Sequence, residues 1–186
     1  MKVATRVNGV AVDRLMETIE HLKARPELAA FKFRAKNLWV EGTHSRAETP
    51  AFYGAGAEDT SRRKPHVHLI DEPPILLGED RGANPGEFLL AALSGCVTTT
   101  FIAYASAQGV KIDELRTELE GDVDLRGFLG ISDDVRPGFN DIRLKFFVKS
   151  EAPPEKIQEL IQLTEHFSAV SDTLRRGVPL HVSLAA

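Results

Sequence analysis

The sequence predicts an α+β fold built from one long apolar helix, shorter amphipathic helices and antiparallel strands. Residues 85–108 form an almost uninterrupted apolar run, in which Pro85 suits the first helical turn and Gly109 suits a C-terminal cap. Shorter segments of alternating apolar and polar residues are joined by loops of hairpin length, which favours antiparallel pairing. Two further stretches carry apolar residues at helical spacing, one near each end of the chain.

The first 28 residues are predicted to form an N-terminal segment, distinct from a main domain over residues 29–186. Asn8-Gly9, between KVATRV and VAV, is typical of a two-residue hairpin turn. Asp13 can then cap an amphipathic helix that Pro26 stops. We expect this segment to lie on the main domain.

The main domain is predicted to hold strands on both sides of the long helix. They lie at 30–48 (two strands), 66–72, 115–125, 142–148 and, after a turn, in the closing stretch SDTLRRGVPLHVSLA. Pro153-Pro154 opens a further helix, whose apolar residues include Ile157 and Leu160. Residues 72–86 carry three prolines and three glycines, so we expect an irregular loop there.

Composition and charge argue against several classes of partner. A net charge of −4 and a pI near 5.9 give no electrostatic reason to expect nucleic acid or an anionic membrane. The single cysteine, Cys96, excludes an intrachain disulfide and fits a reducing compartment, and the N-terminus lacks the features of a secretory signal. Because the apolar run also contains Glu87, Ser94 and several threonines, we interpret it as a protein-buried helix. The expected location is cytoplasmic.

The long helix also predicts an oligomer. A helix that is apolar on every side needs cover on every side. One sheet and one other helix of the same chain cover only part of it, so a partner subunit is the remaining source of cover. We therefore predict a homodimer with this helix near the interface.

Two stretches of the chain resemble the motifs of a known protein family. NPGEFLLAALSGC (84–96) is similar to the N-P-x-E-x-L-L-A-A-L-x-G-C motif of the OsmC (osmotically inducible protein C) family, relatives of the organic hydroperoxide reductases. SAVSDTLRRGVPL (168–180) resembles the second motif of the same family. The resemblance spans roughly residues 30–184. It implies an OsmC-like antiparallel sheet wrapped around long central helices in an intertwined homodimer, and a peroxidase that uses a cysteine thiolate.

Carried over to this chain, the resemblance assigns the nucleophile to Cys96. The second cysteine of the family, which resolves the sulfenic acid as a disulfide, is replaced by Ser168. A hydroxyl cannot close a disulfide, so an external thiol would have to regenerate Cys96. The cation that activates the thiolate is matched by Arg46, with Arg81 as the second candidate.

The acid of the hydroperoxide reductases is matched less well, because in those relatives it directly follows the Pro of N-P, where this chain has Gly86. Glu87 follows one residue later, where other branches of the family keep an acid. Nine residues at about 100° each place Glu87 and Cys96 on nearly opposite faces of one helix, roughly 13 Å apart along it. Glu87 can instead be an acid that stabilises the helix N-terminus. Ser168 can likewise be a hydroxyl that satisfies backbone groups near a helix end. Any cation for Cys96 must come from another element or from the other subunit.

Two functions stay open at this point. The first is a one-cysteine thiol peroxidase for small organic hydroperoxides with low or lost turnover, in which Cys96, Arg46 and Glu87 are catalytic and an external thiol is the reductant. The second is a binding protein that holds a small apolar ligand in a pocket at the dimer interface, with catalysis lost or changed because Ser168 and Gly86 replace groups of the cycle. Cys96 can also be an inert apolar residue. Substrate or ligand contacts are assigned to Phe88, Leu93, Ser168 and Arg81.

Cofactors and metals are not expected for either function. His66 and His68 share a face of one strand, but no third ligand follows at a recognisable spacing. A weaker third hypothesis gives the N-terminal helix a role in docking another protein.

Overall fold

The computed structural model describes residues 5–185 and confirms the α+β class, with five α-helices and several antiparallel sheets in that range. These residues divide into two compact units. The described residues up to Val12 and from Leu90 onward form the first unit, and Asp13–Leu89 form the second. The expected domain boundary after residue 28 stays a prediction.

The predicted N-terminal hairpin and helix are both present. Strands β1 (Arg6–Val7) and β2 (Val10–Ala11) pair across Asn8-Gly9, whose φ angles of 51° and 81° are the left-handed values that this turn requires. Helix α1 (Val12–Ala24) follows directly and ends before Pro26. Residues 2–4 of the predicted first strand lie outside the described residues.

The second unit is built on an antiparallel sheet in the order β3-β4-β7. Its strands are β3 (Lys36–Glu41), β4 (His44–Thr49) and β7 (His66–Ile70), and a small hairpin of β5 (Tyr53–Gly54) and β6 (Ala57–Glu58) lies between β4 and β7 in sequence. The three main strands confirm the predictions for residues 30–48 and 66–72. The predicted irregular loop contains only one short 3₁₀ turn, Pro74–Leu76.

Asp71 organises this loop. Its side chain is almost fully buried, and its carboxylate accepts hydrogen bonds from the Thr43 hydroxyl at 2.6 Å and from the backbone N–H groups of Glu72, Glu79 and Arg81 at 3.0–3.2 Å. The Thr43 hydroxyl and these backbone donors outweigh the cost of desolvation and lower the pKa of Asp71 to about 2. One buried carboxylate thus supplies the acceptor for three backbone N–H groups of a loop that has almost no regular secondary structure.

Helix α2 (Pro85–Ala107) is the long helix that the apolar run predicts. It ends as expected: Gly109 has a φ of 72°, and the N–H of Val110 donates to the Ala105 carbonyl at 2.8 Å. The Asn8 side chain joins the hairpin to this end, because its amide nitrogen donates to the Val110 carbonyl and its oxygen accepts from the N–H of Ile112.

The chain alone covers only one face of α2. The buried residues are Leu93, Val97, Phe101, Ala105 and Ser106. By length and composition alone, α2 could cross a membrane. Its mean hydropathy is 1.7 over an 18-residue window, and 22 % of that window is buried in the structure. A core helix passes the same test, and the buried face of α2 packs against the core of the first unit at Phe101 and Ala105. The expectation of a fully buried helix is met only in part within one chain.

The first unit continues with a two-stranded sheet and three helices. In chain order they are β8 (Glu114–Val123), α3 (Leu125–Phe128), β9 (Phe139–Lys149), α4 (Pro154–Phe167) and α5 (Ala169–Arg176). The two strands pair along their whole length in antiparallel register. Leu160 of α4 and Phe146 of β9 pack with α2 in the core of this unit.

The predicted closing turn and strand are wrong for the described chain. The residues assigned to the turn form helix α5, and residues 177–185 carry no regular secondary structure. Val178, Leu180, Val182 and Leu184 do alternate, but all four are exposed. An alternating pattern forms a strand only beside a strand that supplies hydrogen bonds, and none pairs with this segment among residues 5–185.

We expect Asp71→Asn to remove an acid-dependent part of the stability. The folded pKa of about 2 lies below the ordinary value of 3.8, so the unfolded chain binds more protons between these values. The stabilisation is therefore complete above about pH 4 and is lost as the pH falls through the folded pKa. Urea unfolding at several pH values measures this. Asp71→Asn should lower the free energy of unfolding at neutral pH and flatten its decline below about pH 4.

Asp134→Asn is the matched control, because Asp134 is exposed in a loop of the other unit. Equal pH profiles for Asp71→Asn and the unsubstituted protein would contradict the structural role of Asp71.

Candidate functional site

The half-buried thiol of Cys96 lies where α2 meets the start of α5. Its Sγ accepts a hydrogen bond from the Ser168 hydroxyl at 3.2 Å. The backbone N–H groups of Val170 and Ala169 and the hydroxyl of Thr100, four residues along α2, also favour the ionised form of this sulfur. The thiol itself belongs to the first stretch that resembles a family motif, and Ser168, Ala169 and Val170 belong to the second; none of these neighbours supplies a second sulfur.

The position of these donors follows from how α5 begins. Ser168 is its N-cap: the residue is extended, with φ −71° and ψ 117°, and its Oγ accepts from the N–H of Ser171 at 3.4 Å. The first N–H groups of a helix have no partner within the helix. Two of them, from Ala169 and Val170, lower the pKa of the Cys96 thiol. The interpretation of Ser168 as a hydroxyl at a helix end is thus confirmed.

These donors change the acidity of the thiol. Burial raises the pKa of Cys96, but the hydrogen bonds from Ser168, from the backbone N–H groups of Val170 and Ala169 and from Thr100 outweigh it, and the net pKa is lowered from 9.0. A helix N-terminus also carries a partial positive charge that favours an anion. The family motifs led us to expect this stabilisation from an arginine, whereas in the described chain the Ser168 hydroxyl and the backbone N–H groups of Val170 and Ala169 lower the pKa.

The role of α5 was missed because its sequence was interpreted as a turn. A signal for the helix was present: Ser168 is a preferred N-cap residue, and Asp172 lies in the first turn, where an acid is favourable. The sequence could not show that the free N–H groups of this helix face Cys96, since that depends on the packing of α5 against α2.

Glu87 has a local structural role in α2. Its carboxylate accepts from the N–H of Asn84 at 2.8 Å, and the Asn84 side chain accepts from the N–H of Glu87 at 2.9 Å. This reciprocal pair is a capping box, which satisfies two N–H groups at the start of the helix. The interpretation of Glu87 as an N-terminal acid is confirmed, and its catalytic role stays a prediction.

The two candidate arginines each bind carboxylates within the second unit. Arg46 pairs with Glu48 beside it on β4. Arg81 pairs with Glu41 at 2.8 Å and also with Glu79. Both guanidinium groups thus have carboxylate partners of their own. Their assignment to the Cys96 site stays a prediction.

The remaining predicted site residues fall in different surroundings. The Phe88 ring stands edge-on to His68, with ring centres 5.6 Å apart. Leu93 is buried on α2 and lines a cavity of about 300 Å³ in the first unit. Within residues 5–185, no group of three or more His, Cys, Asp or Glu side chains could hold a metal ion.

Comparison with known proteins places these features in context. The sequence model of the OsmC-like protein family matches residues 78–183, which include Cys96, Ser168 and α5. No curated protein matches the sequence.

Several solved structures are similar to this chain. An OsmC-like protein from Mycoplasma pneumoniae is 19 % identical, with 78 % of this chain and 88 % of that chain covered and a TM-score of 0.60. An organic hydroperoxide resistance protein OsmC from Legionella pneumophila is 16 % identical, with 80 % and 93 % covered and a TM-score of 0.56. An organic hydroperoxide resistance protein from Elizabethkingia anophelis is 15 % identical, with 80 % and 91 % covered and a TM-score of 0.57. At these identities the similarity shows the fold.

The lowered pKa of Cys96 gives a prediction for its reactivity. The rate of alkylation by iodoacetamide follows the thiolate fraction, so its midpoint in pH should lie below 9.0. Ser168→Ala removes one donor to the sulfur, which should move the midpoint upward and slow the reaction at pH 7. Alkylation reactions quenched at successive times between pH 5 and pH 10, and followed by intact-mass spectrometry, measure the midpoint and the rate at pH 7.

Ser171→Ala is the control for this series, because the hydroxyl of Ser171 makes no hydrogen bond within residues 5–185 and lies in the same helix. An unchanged midpoint in Ser168→Ala, with circular dichroism showing intact helices, would refute the assigned cause of the shift.

Proposed function

The chain belongs to the OsmC-like protein family, and from that premise we propose that it is a one-cysteine thiol peroxidase that reduces small organic hydroperoxides. The observation that carries the proposal is the placement of the Cys96 sulfur against the N-terminus of α5. A peroxidatic cysteine must be a thiolate at working pH, and these donors favour that form. Related solved structures that carry the name of organic hydroperoxide resistance proteins support the choice of substrate class.

In the proposed first step, the Cys96 thiolate attacks the terminal oxygen of the hydroperoxide. The S–O bond forms as the O–O bond breaks, so the cysteine is oxidised to the sulfenic acid and the hydroperoxide is reduced to an alcohol. The leaving alkoxide takes up the proton that the thiol released on ionisation.

Regeneration must use thiols from outside the chain. Cys96 is the only cysteine, so no intrachain disulfide can form. In our proposal one external thiol condenses with the sulfenic acid to give a mixed disulfide and water. A second external thiol then attacks the mixed disulfide, which returns Cys96 and releases the oxidised reductant. This need for a thiol supply fits the proposed cytoplasmic location.

We propose further that the active species is a homodimer. Proteins of this family are generally dimeric. In the single chain the α2 face with Ala91, Ala92 and Gly95 is exposed, and a side-chain atom added at Gly95 would meet open space. A second copy would cover such a face. Arg46 and Arg81 keep their proposed role as cations toward Cys96 in this assembly.

Turnover with a small alkyl hydroperoxide and a monothiol tests the proposal. The dimeric species, verified by light scattering as about twice 20.5 kDa, should consume hydroperoxide in proportion to added thiol. Cys96→Ser should reduce the rate to that of the thiol alone. Ser168→Ala should retain the activity but lower its rate at pH 7, because less thiolate is present.

Ser171→Ala serves again as the matched control and should keep the full rate. Hydroperoxide loss that is equal for the unsubstituted protein and Cys96→Ser would exclude the peroxidase and leave a non-catalytic role for the fold.

A further inference from the structure

The first unit contains a cavity of about 300 Å³ that the proposed chemistry does not use. Most of its wall is apolar and comes from three elements, α2, β9 and α4. The apolar residues are Leu93, Val97, Ile142, Leu144, Phe146 and Ile161. Cys96 and Ser168 are not part of the lining, although Val97 and Ser171 adjoin them, so the cavity lies beside the thiol and does not contain it.

One side of the cavity is different, because α5 brings polar groups to it. Ser171 and Arg175 are four residues apart and therefore share a face of this helix, with Leu174 beside them. The Ser171 hydroxyl makes no hydrogen bond within residues 5–185. Arg175 contacts Glu165, which also lines the cavity, by a single N–O approach of 3.2 Å. Both residues of this ion pair are more than half exposed, and such pairs contribute little stability.

We propose that this cavity is a binding site for a medium-chain alkyl carboxylate, with the chain against the apolar wall and the carboxylate at Arg175 and Ser171. A guanidinium binds a carboxylate through two parallel N–H groups, which the single contact with Glu165 leaves available. Ser171 supplies a further donor on the same helix face. A carboxylate in the cavity therefore gains two hydrogen-bond donors, Arg175 and Ser171, whereas an ammonium group would gain only Glu165.

The size of the cavity sets the length of the chain. A non-hydrogen atom with its hydrogens takes up roughly 30 Å³, the volume of one water molecule. The cavity of about 300 Å³ therefore holds about ten such atoms. Octanoate has that size. Burial of its alkyl chain supplies the driving force, and the carboxylate fixes its orientation at the α5 side.

Calorimetric titration of the reduced full-length protein with octanoate, octanol and octylammonium, below their micelle concentrations, tests the proposal. Octanoate should bind at one site per chain, about five- to tenfold more tightly than octanol, since a hydrogen-bonded charge adds to the shared alkyl contact. Octylammonium should bind no better than octanol. Amide exchange over residues 169–176 should slow when octanoate is bound, because the ligand stabilises α5.

Two neighbouring arginines provide a matched pair of variants. Arg175→Gln should reduce octanoate affinity to that of octanol. Arg176→Gln should leave it unchanged, because Arg176 pairs with Asp172 and does not line the cavity. Cys96→Ser should also bind octanoate normally, so failure of the peroxidase proposal and failure of this one are distinguishable.

Three results would overturn the proposal. One is tighter binding of octylammonium than of octanoate, and another is an equal loss of affinity in Arg175→Gln and Arg176→Gln. The third is the absence of saturable octanoate binding in folded protein, which is expected if a second copy or the segment 178–184 fills the cavity.

Discussion

The contact between the N-terminus of α5 and the Cys96 sulfur is the interaction on which the site depends. One residue, Ser168, makes this contact possible in two ways, since its hydroxyl donates to Sγ and also accepts from the N–H of Ser171 to begin the helix. The N–H groups of Ala169 and Val170 then complete the surroundings of the sulfur. The half-buried thiol of Cys96, whose pKa burial alone would raise, is thereby made easier to ionise.

This arrangement separates two roles that a cysteine at position 168 would combine. A sulfur there could close a disulfide with Cys96, whereas a hydroxyl can only donate to the thiolate and cap the helix. The chain therefore keeps donors that favour a thiolate at Cys96 and lacks a second sulfur beside it. For the proposed peroxidase, dependence on an external thiol is the direct chemical consequence.

Local patterns predicted most of the fold correctly. The apolar run predicted α2, and the alternation of apolar and polar residues predicted the strands of both units. Both patterns can be seen in residues that are neighbours in sequence. The closing strand failed for the opposite reason: Val178 and Leu180 alternate, but a strand also needs a neighbour that the pattern does not supply. For the site, sequence motifs identified Cys96 and Ser168. The contact with the N–H groups of Ala169 and Val170 was beyond prediction because it depends on how two helices pack.

The most direct measurement of this account is the oxidation product of Ser168→Cys. The 3.2 Å separation of Sγ and the Ser168 hydroxyl places a sulfur at position 168 within reach of Cys96. One equivalent of an alkyl hydroperoxide should therefore convert Ser168→Cys to an intrachain disulfide with loss of both thiols, while the unsubstituted protein gains one oxygen on Cys96. A folded Ser168→Cys protein that retains two free thiols under these conditions would contradict the account.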